Sequence, residues 1–142
     1  MELEKRSSED YDKPEYNLFV WVDTHPENLQ NNFLNKDWDI NIKFGSFKIT
    51  CLHKVAMEGT AKAMEIILNF YKEKIDVNIS DITGATPLHY ACSGGYIDVV
   101  KLLLKFGADI NTIKMSGSTP LHLANLHGHL DLVENILLNK SI

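Results

Sequence analysis

The chain spells one unit twice. Thr86-Pro87-Leu88-His89 returns 33 residues later as Thr119-Pro120-Leu121-His122, and the match continues downstream. Gly95 falls on Gly128, Asp98 on Asp131, Val100 on Val133 and Leu104 on Leu137. A weaker copy starts at Thr50-Cys51-Leu52-His53, offset by 36, with the three extra residues in Tyr71-Lys72-Glu73-Lys74-Ile75. A fixed period of this size constrains the fold more than any other feature. Each period is one supersecondary unit that cannot cover its own apolar face, so neighbouring units must stack to build a core.

Local chemistry says what each unit is. Thr86 is a good N-cap, and Pro87 suits the first helical position, where its missing N–H and fixed φ cost nothing. Leu88 and Ala91 share the inward face of a short helix that Gly94-Gly95 ends. A second helix is predicted from about Ile97 to Phe106, with Ile97, Val100, Leu103 and Leu104 at helical spacing and Gly107 as its left-handed stop. Asp109 to Gly117 holds turn formers and little periodicity, which predicts a projecting hairpin-like loop.

"GATPLHYACSGGYIDVVKLLLKFGADIN" resembles an ankyrin repeat, with Thr-Pro-Leu-His, the glycine that ends helix one, the Val-Val-x-Leu-Leu-Leu helix and Gly-Ala-Asp-x-Asn all present. The resemblance implies an all-α solenoid of stacked helix-turn-helix units with projecting hairpin loops. Its expected units are a charged tail over 1–13, a degenerate capping repeat over about 14–38, and repeats over about 39–75, 76–108 and 109–142. In the unit at Thr50, Cys51 replaces proline, Val55 the first alanine, and Lys48 the loop glycine, so its loop is expected to be less regular. The cap rests on aligning Asp39-Ile40-Asn41 with Asp109-Ile110-Asn111, which puts Leu18 on Leu88 and Leu29 on Val99. Trp21 then occupies a small-residue slot that suits a terminal unit. An unrelated strand followed by a helix is the alternative. At the other end Asn135 replaces Leu102, as suits either a last repeat facing water or a cut from a longer chain.

Composition removes several function classes. With a net charge of −5 and one arginine, Arg6, there is no basic footprint for nucleic acid or an anionic membrane. No apolar run is long enough to span a bilayer, and the charged start "MELEKRSSEDYDK" has no secretory h-region. Cys51 and Cys92 lack a CxxC spacing and read as buried reduced thiols, which predicts a cytoplasmic or nuclear protein.

The histidines are the candidate chemistry. His53, His89 and His122 share one slot, three residues after the capping threonine, where an imidazole reaches the threonine hydroxyl and nearby backbone. Threonine and histidine are therefore expected to act as one hydrogen-bonded unit. Successive layers lie roughly 10 Å apart, the spacing of packed helices, so these rings cannot share a metal. His122, His127 and His129 form H-x4-H-x-H, but no cysteine or acid stands at ligand spacing. No nucleophile elbow or phosphate-binding loop is present. Neither cofactor, metal nor catalysis is expected.

The resemblance places a partner surface on the concave face, formed by the loop fingers and the exposed side of each first helix. By slot it comprises Phe47, Ile49, Met57 and Glu58, then Ile82, Thr83, Ala85 and Ser93, then Met115, Ser116, Ser118, Leu126 and His127. The apolar members would line up across three layers, and a contiguous apolar strip marks an interface. The expected function is a non-catalytic protein–protein interaction module (an adaptor, inhibitor or assembly factor), monomeric when unbound. The alternative is the amino-terminal targeting or regulatory part of a larger enzyme or membrane protein.

Overall fold

The structure is a computed structural model that describes residues 13–21 and 34–138. Among the described residues the elements are α1 (Pro14–Trp21), α2 (Cys51–Glu58), α3 (Ala61–Phe70), α4 (Pro87–Gly94), α5 (Ile97–Lys105), α6 (Pro120–Leu126) and α7 (Leu130–Leu138). The last six form three helical hairpins. Helices α2, α4 and α6 pack side by side in one layer, with α3 beside α5 behind them. The ankyrin-type all-α solenoid is therefore the architecture, and no helix among the described residues is long and apolar enough to cross a membrane.

The repeated Thr-x-x-His element starts each hairpin as expected. Thr50, Thr86 and Thr119 take extended N-cap backbones, and each donates its N–H to the Nδ1 of the histidine three residues on, at 3.1 Å in all three. Because Nδ1 accepts, the ring proton sits on Nε2. That second nitrogen does what the single-unit expectation missed. His53 Nε2 donates to Ala85 O at 3.0 Å, and His89 Nε2 donates to Ser118 O at 3.0 Å. Each acceptor immediately precedes the N-cap of the next hairpin, so each interior histidine caps its own helix and ties it to the following layer. An asparagine series does the same behind the fingers. Asn41 bonds Lys74 O and Asp76 N, and Asn78 bonds Gly107 O and Asp109 N.

The core runs along the stack between the two helical layers. Leu52 and Val55 of α2, Met64, Ile67 and Leu68 of α3, Leu88 of α4 and Leu103 of α5 are all at most 1% exposed. Val99 and Val100 are buried with them, while Ile97 and Leu104 pack partly buried at the edge. In the last described hairpin the buried side chains shrink to Pro120, Ala124 and Leu132.

At the other end α1 packs against α2. Leu18 is fully buried, and Phe19 and Tyr16 pack on Phe44 with ring centroids 4.8 and 5.6 Å apart. Lys54 extends its ammonium over the Phe19 ring at 4.5 Å. Leu29 and the rest of the second cap helix lie outside the described residues, as do the side chain of Trp21 and the proposed tail over 1–13, except for Lys13.

The first finger departs from the sequence-based expectation. It is not the irregular one: Phe44 and Ile49 form an antiparallel bridge, the only one among the described residues. Lys48 adopts φ 57° there, the left-handed conformation that Gly84 and Gly117 hold in the same slot. Two hydrogen bonds between Phe44 and Ile49, at 2.7 and 3.1 Å, hold the turn against that cost.

Candidate protein-binding surface

The fingers are joined by their backbones. Phe47 O accepts from Ile82 N at 2.9 Å, and Thr83 O accepts from Met115 N at 2.8 Å. This series places Phe47, Ile82 and Met115 in consecutive layers along one edge, with Ile82 55% and Met115 81% exposed and Phe47 half-buried. Behind them the side-by-side helices α2, α4 and α6 carry Met57, Ser93 and Leu126 in one slot. Met57 and Ser93 are half-buried and Leu126 is 75% exposed. Glu58, Ser116 and His127 are exposed, while Thr83 and Ser118 are half-buried.

Two of the assigned residues do not belong to this surface. Ile49 is 1% exposed and Ala85 2%. Both immediately precede an N-cap threonine, where the finger returns to the stack. Ile49 turns onto the Phe44 bridge, and Ala85 gives its carbonyl to His53. A residue there contributes to the core and not to a partner.

The second finger contains a network that slot comparison did not reveal. The buried Asp81 carboxylate accepts from Thr83 N at 2.8 Å, Thr83 Oγ1 at 2.7 Å and Ala85 N at 3.0 Å, and from the Tyr90 hydroxyl. Burial pushes the carboxyl's pKa up, but the bonds from Tyr90, Thr83 and Ala85 outweigh it and hold Asp81 below its ordinary value. Burial and that same bond raise the Tyr90 phenol. Asp81-x-Thr83 is an Asx-turn signal, readable in the sequence once the finger is known to be a turn. The network locks the finger whose tip is Ile82, so the exposed side chain stands on a fixed backbone.

Burial lowers the His53 and His89 pKa values, which favours neutral rings, and the N–H bonds onto Nδ1 select the tautomer that the struts require. Burial pushes the Cys51 and Cys92 thiols up to about 12, so neither presents a thiolate. His129 Nε2 donates back to Ser93 O at 2.8 Å, which fixes the turn between α6 and α7. Among the described residues no group of three or more His, Cys, Asp or Glu side chains is placed to hold a metal ion.

Comparison with known proteins agrees with this architecture. A family model described as ankyrin repeats, three copies, matches residues 22–114 and 52–142. Protein phosphatase 1 regulatory subunit 27 of Mus musculus is 36% identical over 60 residues, covering 42% of this chain and 37% of that protein. Transient receptor potential cation channel subfamily A member 1 of Homo sapiens is 37% identical over 71 residues, covering 46% of this chain and 6% of the channel. Human ankyrin repeat domain-containing protein 7 is 41% identical over 54 residues, covering 38% of this chain and 20% of that protein. The chain thus spans well under half the length of each relative. Ankyrin repeats generally mediate protein–protein interaction and are generally non-catalytic. The chain belongs to the ankyrin-repeat family.

Proposed function

We propose that the protein is a non-catalytic binding module that docks a partner protein on its concave face, as an adaptor, inhibitor or assembly factor. The observation that carries this is the exposed Ile82 on a finger locked by Asp81, flanked by Phe47 and Met115 on fingers bonded to it. An exposed apolar side chain on a rigid backbone costs little ordering on binding, and its burial supplies free energy. A central apolar residue that becomes desolvated can act as a hot spot, worth more than about 1 kcal/mol on truncation. The buried free thiols fit a reducing compartment, the cytoplasm or nucleus.

A second reading, an interaction segment within a larger polypeptide, draws on the channel relative, of which the matched region is only 6%. The partner is to be found by affinity capture and mass spectrometry against the wild type. Calorimetry with that partner then tests the face. Ile82→Ala with Met115→Ala should weaken binding while stability stays within about 0.5 kcal/mol, as for ordinary surface changes. Lys101→Glu, on the exposed side of α5, should change neither. Full-strength binding by the double variant would place the interface elsewhere.

A further inference from the structure

The three residues by which the first hairpin exceeds the period are Tyr71, Lys72 and Glu73. Asn78 bonds Gly107 O and Asp109 N, and Asn41 bonds Lys74 O and Asp76 N, so Lys74 matches Gly107. Counted from the capping threonines Thr50 and Thr86, Phe70 matches Phe106. After Phe106 the chain passes straight to Gly107 and the next hairpin still packs, so stacking does not call for an insertion.

The insertion is nevertheless firmly held. Tyr71 is 1% exposed, and its hydroxyl donates to Asn35 O at 2.9 Å. Tyr71 O accepts from Lys74 N at 3.0 Å and from Ile75 N at 2.8 Å, which closes the turn. The Lys74 ammonium lies 5.5 Å from the Tyr71 ring centroid and donates to Lys36 O.

All three inserted residues line one hollow of about 470 Å³, whose other walls include Phe70, Lys36 and Lys74. Phe70 stands edge-on to Tyr71 with centroids 4.8 Å apart and is 37% exposed, which gives the hollow an aromatic wall. Lys36 and Lys72 are exposed, and their ammonium groups have no partner among the described residues. The lining carries three lysines against one glutamate, in a chain whose net charge is −5. The neighbouring Asp39 and Asp76 carboxylates accept from Asn41 and Asn78 N–H and so face their own turns.

We propose that this hollow is a second docking site, which takes an acidic peptide segment of a partner protein. One bulky apolar side chain of the segment packs against Phe70 and Tyr71, and flanking carboxylates pair with Lys36 and Lys72. The lysines select acidic neighbours, and the aromatic wall supplies the apolar contact. The rim is built of exposed side chains, so the hollow does not enclose a free small molecule as a ligand pocket does, and the peptide chain makes the remaining contacts. The site lies at the C-terminal end of α3, in the helical layer behind α2 and α4, and shares no residue with the concave face.

Titrating acetyl-Glu-Glu-Phe-Glu-Glu-amide into the isotope-labelled full chain tests this. Amide shifts should concentrate at Lys36 and from Phe70 to Lys74, and binding should weaken as salt is raised. Lys36→Glu with Lys72→Glu should weaken binding roughly tenfold while the melt stays parental, because both side chains are exposed. Phe70→Ala should weaken it as well, and so should alanine in place of the peptide's phenylalanine. Ile82→Ala with Met115→Ala should leave it unchanged, so this site and the concave face can fail independently. No shifts at millimolar peptide, equal binding of acetyl-Lys-Lys-Phe-Lys-Lys-amide, or shifts centred on Ile82 would overturn the proposal. Hydrocinnamate alone binding the same residues as tightly as the peptide would overturn the peptide as occupant.

Discussion

His53 and His122 occupy the same slot and make the same cap, so one substitution at both sites isolates the bond between layers. His53 is fully buried; its Nδ1 accepts from Thr50 N–H and its Nε2 donates to Ala85 O. His53→Ala leaves the Thr50 amide, on a residue 1% exposed, without that partner, and takes one of two bonds from Ala85 O, which keeps the one from Asp81 N at 2.9 Å. The orphaned amide costs about 1–3 kcal/mol and the lost interlayer bond about 1 kcal/mol, and the void edge-on to Tyr90 adds to them, for a total of about 3–5 kcal/mol. At His122 the ring is exposed and only the cap is lost, about 1 kcal/mol. The two variants should therefore differ by at least about 2 kcal/mol, which is 2.303RT taken roughly one and a half times. Urea titration followed by circular dichroism measures this directly, provided both variants keep the parental m-value. Equal losses within about 0.5 kcal/mol would refute the interlayer strut and leave only the cap.

Acid should unfold the stack early. The folded His53 and His89 pKa values lie below the 6.5 of the unfolded residue, so stability is full above that pH and falls below it as the unfolded chain takes up protons. The slope approaches about 1.4 kcal/mol per pH unit for each ring, and a urea midpoint that stays flat from pH 6.5 to 5 would contradict it. Gly95→Ala should cost clearly more than Gly117→Ala by thermal melting. Both have positive φ, but a Cβ at Gly95 would lie 2.5 Å from the His129 ring, whereas at Gly117 it meets nothing within 4 Å. Lys48→Gly should stabilise by up to about 1 kcal/mol, because only glycine takes a left-handed backbone freely; a loss in the same melt would mean that the Lys48 side chain contributes more than its backbone costs.

The period made the hairpins legible because each boundary depends on residues within the hairpin. Thr-Pro starts helix one, Gly94-Gly95 stops it, and the spacing of Val100, Leu103 and Leu104 orients helix two. What lies between hairpins was legible only as a slot. The histidine looked like a cap because its short-range partner is three residues away, while its long-range acceptors, Ala85 and Ser118, are 32 and 29 residues off. Ile49 and Ala85 were misplaced for a related reason. Their slot borders exposed finger positions, and the backbone reverses there to enter the N-cap. Sequence alone registers that reversal only through Thr50 and Thr86.

Exposure along the concave edge rises from Phe47 through Ile82 to Met115. Part of that gradient is not a property of the residues. Each finger is shielded on one side by the next, and among the described residues none follows the finger of Met115, so its high exposure is not by itself a sign of a partner surface. Ile82 has neighbours on both sides, Phe47 and Met115, and is still more than half exposed. Its exposure therefore does not come from a missing neighbour. It comes from the turn that Asp81 holds, which points the side chain outward while Thr83 and Ala85 fold back around the carboxylate. Asp81→Ala should release that turn. If Ile82 is the anchor, Asp81→Ala should weaken partner binding in calorimetry even though Asp81, only 5% exposed, offers a partner little to touch. If binding survives Asp81→Ala but not Met115→Ala, the third finger would carry the interaction instead.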